Sequence, residues 1–179
     1  MSAPEIRGAA PSASVEAHRA AAPDAVGCAI LTVSDTRTPA TDASGALIRQ
    51  LLLAAGHAVV DARIVPDEPT LIRETLDAWT GRAEIRAILT NGGTGIAARD
   101  TTHDVVAALL EKRIDGFGEL FRMLSHREIG AAAMLSRAVA GVYRGRLVVA
   151  MPGSRNAVRL AMAELIVPEL AHLVYEIGK

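Results

Sequence analysis

Two runs of consecutive apolar residues, Val26-Gly27-Cys28-Ala29-Ile30-Leu31-Thr32-Val33 and Leu147-Val148-Val149-Ala150-Met151, restrict the fold more than any other feature of the chain. Both fall short of the roughly 20 apolar residues that a membrane-crossing helix needs. Neither alternates polar with apolar side chains, as a strand with one wet face would. Such runs are strands buried on both sides, and that burial requires helices above and below the sheet. The stretches between them supply helices. Ser44 opens Gly45 to Ala55, where Leu47, Leu51 and Leu52 recur at helical spacing and Gly56 stands at the stop. The expected class is therefore α/β, a three-layer sandwich with a mostly parallel central sheet and helices on both faces.

The remaining elements follow from the same alternation. His57 to Val65 is a second strand ending in Val65-Pro66-Asp67, and Pro69 and Thr70 start a helix to about Trp79. Ile85 to Leu89 is a third strand running into Thr90-Asn91-Gly92-Gly93-Thr94-Gly95, followed by a helix from about Thr102 with Asp104 in its first turn. Gly116 to Arg137 is expected to be helical with a break near Gly130. Ala138 to Gly145 is read as an irregular strand or hairpin arm, and Ser154 to Glu176 as a helix bent or restarted at Pro168. Met1 to Asp24, rich in Ala, Pro and Ser, is expected to be a mobile tail, with residues 25–179 as one domain. Charged residues such as Glu5, Arg7 and Glu16 interrupt any signal-peptide core in that tail.

Nineteen basic residues against 20 acidic ones leave a net charge of −1, so no global field recruits nucleic acid or an anionic membrane. A polyanionic partner must then be small and locally held. A single cysteine, Cys28, inside an apolar strand suits packing rather than catalysis, and its isolation suits the reducing cytoplasm. His18, His57, His103, His126 and His172 lack zinc-ligand spacing, and Ser154 lacks the hydrolase nucleophile elbow.

In an open α/β sheet, ligands bind beyond the carboxyl ends of the strands. The unusual loops of this sequence all fall at such ends: Ser34-Asp35-Thr36-Arg37, then Asp67, then Asn91-Gly92-Gly93-Thr94-Gly95 with Asp100, and finally Pro152-Gly153-Ser154. Three glycines in four positions let backbone approach a ligand and aim successive N–H groups at an anion. The same composition also fits a tight strand-to-helix turn. Pro152-Gly153-Ser154 offers a second phosphate contact at a helix N-terminus, or an ordinary turn with an N-cap. Asp67 and Asp100 are placed to share a hard cation such as Mg²⁺ with bound phosphate; equally, Asp67 completes a turn and Asp100 caps a helix. Asp42 and Ser44 carry the same double reading as caps that face this edge. Arg37, Arg99 and Arg155 flank the pocket. Gly93-Thr94-Gly95-Ile96-Ala97-Ala98 fits a dinucleotide fingerprint, but it follows the third strand rather than the first, and the region near Asp115 is helical.

Taken in order, Thr32-Val33-Ser34-Asp35-Thr36-Arg37, Asp42-Ala43-Ser44-Gly45, Val65-Pro66-Asp67, Thr90-Asn91-Gly92-Gly93-Thr94-Gly95, Arg99-Asp100-Thr101-Thr102 and Met151-Pro152-Gly153-Ser154 resemble the molybdenum cofactor biosynthesis family, MoaB/MogA. Gly116-Phe117-Gly118-Glu119 and the run Glu128 to Arg137 look closer to the MoaB branch. The resemblance implies the molybdopterin-binding fold and a homotrimer, or a hexamer built from trimers. It also implies a reaction in which Mg²⁺ and ATP adenylylate the terminal phosphate of molybdopterin and release pyrophosphate. By motif position, it makes Asp67 and Asp100 the catalytic, Mg²⁺-associated pair. It assigns ligand phosphate to Gly92, Gly93, Thr94 and Gly95, and the pocket lining to Ser34, Asp35 and Ser154; Asp42, Ser44, Pro152 and Gly153 are expected to join them as ligand-binding residues at the same edge. Arg155 departs from the proline that MogA-type relatives often carry after Pro-Gly-Ser. Two other classes stand beside the adenylyltransferase: a non-catalytic pterin-binding or scaffold protein of the same pathway, and a nicotinamide-dependent oxidoreductase.

Overall fold

A computed structural model of the chain describes residues 16 and 19–179. The tail expected over Met1 to Asp24 lies mostly outside the described residues; within its described part, the Arg19 guanidinium donates to Glu169.

Among the described residues the six strands are β1 (Gly27–Val33), β2 (Ala58–Val65), β3 (Ala87–Asn91), β4 (Lys112–Arg113), β5 (Val139–Tyr143) and β6 (Arg146–Met151). They form one sheet in the order β2-β1-β3-β6-β5-β4. The β1–β2, β1–β3 and β3–β6 pairs are parallel, whereas β5 pairs antiparallel with β6 and β4 with β5. The helices are α1 (Ala43–Ala54), α2 (Pro69–Thr80), α3 (Thr102–Leu109), α4 (Asp115–Ile129), α5 (Arg155–Ala161) and α6 (Val167–Ile177).

The continuous apolar character of β1 follows from its neighbours. Cys28 and Ile30 join the layer formed with Ile48 and Leu52 of α1, Phe121 of α4 and Leu170 of α6. Ala29, Leu31 and Val33 point the other way, into Ile72, Leu76 and Trp79 of α2 and Val106 of α3. Each large side chain buried this way contributes about 1.5–3 kcal/mol, and no face of β1 is left for a polar residue to occupy cheaply.

Several elements differ from the sequence expectation. β3 starts and ends later than Ile85 to Leu89, so Thr90 and Asn91 are buried strand residues and the loop begins at Gly92. The hairpin arm is a true strand, β5, turned into β6 through Arg144 and Gly145, both at positive φ, the backbone that a tight hairpin turn requires. Asp42, not Ser44, caps α1. The helical stretch expected from Gly116 to Arg137 breaks at Gly130 (φ 62°) as expected, but beyond α4 it continues as a 3₁₀ segment, Gly130–Leu135, that stops short of Arg137. The last helix, expected to bend or restart at Pro168, resumes as α6 at Val167 after α5 ends at Ala161. It widens into a π turn over Met162–Ile166, just ahead of Pro168, whose ring would otherwise clash with the carbonyl four residues back. No helix among the described residues is long and apolar enough to cross a membrane.

Candidate functional site

The strand order reverses between β1 and β3, and the loops that follow these strands and β6 meet backbone against backbone. A Cβ on Gly92 would stand 2.2 Å from the Val33 carbonyl oxygen, and one on Gly153 would stand 2.8 Å from the Gly92 Cα. Gly92 takes φ +95° and Gly93 φ +61°, a region that only glycine enters freely. Glycine at these positions is thus required by close approach as well as by the turn. Around them lies a cleft of about 430 Å³ that reaches Ser34, Asp100, Ser136 and Ser154.

Both expected acidic residues reach the glycine loop. Asp67 is buried, and its Oδ2 lies 2.1 Å from where a Cβ on Gly93 would stand. Its Oδ1 accepts from Thr101 Oγ1 at 2.6 Å and from the Thr101 amide at 3.1 Å. Asp100 Oδ2 lies 2.5 Å from the corresponding position on Gly95 and accepts from the Ala97 amide at 3.1 Å. Asp67 therefore restrains the entry to α3, whereas Asp100 folds the outer part of the loop back on itself and does not cap the helix, whose N-cap is Thr101; of the two, Asp100 lines the cleft and Asp67 lies buried behind the loop.

The loop amides are unequal. Gly92 donates to the Met151 carbonyl at 3.2 Å and is committed to the sheet. Among the described residues, no protein acceptor takes the amides of Gly93, Thr94 or Gly95. Among the described residues, Asn91 Oδ1 and Thr102 Oγ1 find no hydrogen-bond partner although both side chains are fully buried, at either end of the same loop. Buried polar groups rarely stay unpaired, so these mark a place where ligand or water completes the structure.

The other candidates sort into braces and lining. Asp42 accepts from Thr32 Oγ1 (2.6 Å), the Gly45 amide (2.9 Å) and Arg37 Nη1 (3.2 Å), which ties β1 to the start of α1. Ser44 Oγ and Arg37 Nη2 both donate to the Gly153 carbonyl, at 2.8 and 3.1 Å, and hold the last loop against the first. Ser34 Oγ accepts from the amides of Thr36 and Arg37. Ser154 caps α5 by accepting from the Ala157 amide, and Pro152 lines the cleft. Asp35 does not line this cleft but lines the larger one that adjoins it between β2 and α1. It pairs with Arg99, which also binds Glu68, and its Oδ1 accepts from the Asp67 amide. The Arg99 hydrogen bond, with help from that amide, holds the Asp35 carboxyl below the usual carboxylate range. Arg155 is exposed beside the last loop.

Sequence reasoning passed over two groups that matter here. Asn91 donates to Thr32 Oγ1 at 2.9 Å, extending the Thr32–Asp42 brace into β3. Arg137 donates to the carbonyls of Thr94 and Gly95. No local pattern announces an arginine so far along the chain from the loop that it holds; Asn91, just before the glycines, could have been suspected. A larger cleft, about 980 Å³ between β2 and α1, adjoins the first and shares Thr32, Ser34 and Arg37 with it. Among the described residues, no group of three or more His, Cys, Asp or Glu side chains could hold a metal ion by itself.

An open α/β sheet with a glycine loop and two carboxylates beside its switch point has the arrangement in which proteins of this fold class bind small ligands. Its relatives make the class specific. The family described as a probable molybdopterin binding domain matches residues 29–172. Molybdenum cofactor biosynthesis protein B of Halalkalibacterium halodurans is 58% identical over 167 residues, covering 93% of this chain and 98% of its own length. A crystal structure of a molybdenum cofactor biosynthesis protein B superposes with a TM-score of 0.85 at 51% identity, over 88% of this chain and 98% of that one. The tungsten cofactor synthesizing protein MoaB from Pyrococcus furiosus gives 0.79 at 34% identity, over 88% and 100%. The chain belongs to the molybdopterin-binding family of molybdenum cofactor biosynthesis proteins.

Proposed function

We propose that this protein is a Mg²⁺-dependent molybdopterin adenylyltransferase, in which an oxygen of the terminal phosphate of molybdopterin attacks the α-phosphorus of ATP and pyrophosphate leaves. The observation that carries the reading is the packing of two carboxylates against one glycine loop: Asp67, from the connection after β2, against Gly93, and Asp100, from the end of the loop's own connection, against Gly95. Two carboxylates fit Mg²⁺, which completes its shell with phosphate oxygens and water. When bound, the ion would neutralise phosphate charge and polarise the phosphorus under attack. The chain's own share is positioning: the amides of Gly93, Thr94 and Gly95 receive phosphate oxygens, Thr102 Oγ1 and Asn91 Oδ1 gain the partners they lack, and two adjoining clefts give room to two substrates. The same reading makes the protein cytoplasmic and a homotrimer, or a hexamer of trimers.

Purified protein incubated with molybdopterin, Mg²⁺ and ATP should yield adenylylated pterin and pyrophosphate. Asp100→Asn should lower turnover by about 10²-fold while changing pterin affinity far less; undiminished turnover removes Asp100 from the reaction. Tight pterin binding without pyrophosphate release at any Mg²⁺ concentration would instead assign the chain a non-catalytic role in the pathway.

A further inference from the structure

Arg137 follows the 3₁₀ segment and stands just before β5, yet its whole guanidinium is spent on the glycine loop and α3. Nε donates to the Thr94 carbonyl at 3.0 Å. Nη2 donates to the carbonyls of Gly95 at 2.6 Å and Asp100 at 3.3 Å. Nη1 donates to both carboxylate oxygens of Asp104, at 2.8 and 3.1 Å. A guanidinium has five N–H donors in a rigid fork, and these contacts account for each of them.

In a planar trans peptide the carbonyl and the following N–H point in opposite directions. By holding the carbonyls of Thr94, Gly95 and Asp100, Arg137 turns the amides of Gly95, Ile96 and Thr101 away from itself. For Thr101 the far side is visible: its amide donates to Asp67 Oδ1 at 3.1 Å. The peptide between Asp100 and Thr101 is thus gripped by a cation at its oxygen and by the Asp67 carboxylate at its nitrogen. A charge at the carbonyl also polarises the amide and strengthens its donation. We infer that Arg137 is a positioning residue that, through three peptide groups, orients the phosphate-cradling amide of Gly95, the outer loop beyond it and the Asp67 carboxylate, without touching the ligand. The inference deepens the proposed adenylylation and depends on it only for the kinetic readout.

Hydrogen exchange and kinetics on the full chain test it together. In Arg137→Ala, exchange at Thr101 should accelerate by about tenfold or more, with faster exchange at neighbouring loop amides, while the amides of β1 and β3 keep their wild-type rates. Turnover should fall by about 10²-fold, the cost of a small misplacement of reacting groups, with KM for ATP nearly unchanged. Arg137→Lys, which keeps the charge but loses the fork, should fall between wild type and Arg137→Ala, and added guanidinium should restore part of the activity of Arg137→Ala. Unchanged exchange at Thr101, or exchange that rises equally throughout β1, would overturn the inference. If the wild type makes no adenylylated pterin, the proposed reaction fails, and the exchange pattern alone decides the role of Arg137.

Discussion

At Gly93 a single methyl group would meet Asp67 Oδ2 at 2.1 Å and Thr102 Oγ1 at 2.3 Å, on a backbone already at φ +61°. Gly93→Ala should therefore cost about 1–3 kcal/mol in urea unfolding, and it should depress catalysis further by displacing Asp67. A variant as stable and as active as wild type would show that the loop is not held as described. Cys28 makes the opposite kind of prediction. Burial pushes its thiol up to about 12, so the folded protein keeps the proton over a range in which the unfolded chain, near the ordinary thiol value of 9.0, releases it. The sign follows from linkage: the folded state binds more protons between those values, and stability falls as pH rises through that window. Cys28→Ala should flatten that part of the stability curve, and a thiol reagent should label native protein only after unfolding.

At the scale of an element, α1 shows how one carboxylate joins a helix to a strand. Asp42 caps the helix through the Gly45 amide, takes the Thr32 hydroxyl from β1 and pairs with Arg37. Loss of a good N-cap typically costs about 1 kcal/mol, and here other bonds go with it. Asp42→Ala should thus lower thermal stability clearly, whereas Asp42→Asn, still a good cap, should lose much less. The same element marks where sequence reading succeeds and fails. Capping chemistry is local, so the start of α1 was visible to within two residues, but the choice between Asp42 and Ser44 was not. Ser44 is drawn away by the Gly153 carbonyl, which is close only in space. β5 was blurred because Val139 to Tyr143 carries a glycine and no alternation, and its pairing with β6 settles it. β4, two charged residues, has no pattern to detect. The glycine loop and both aspartates were legible because close backbone approach admits few residue types, whereas Arg137 acts through carbonyls that any sequence possesses.

The whole molecule leaves apolar surface that its own core does not use. Leu120 and Met123 on α4, Ile129 at its end, and Met134 and Leu135 on the 3₁₀ segment are exposed, Met134 by 79%. Among the described residues, Leu53, Leu71 and Ile96 are exposed on three other elements or loops, while the core is buried in two layers on either side of the sheet. Large exposed apolar side chains grouped on consecutive elements are the kind of surface that subunits cover. Leu135 also lines the ligand cleft, so a neighbour seated there would stand beside bound substrate and help keep water out. Sedimentation at micromolar concentration should therefore report three or six times the 18.7 kDa chain mass. Met134→Glu, which leaves the core untouched, should shift the mass downward while retaining the circular dichroism of the fold. A wild-type monomer would refute the assembly, and an unshifted Met134→Glu would place its interface on another face of the molecule.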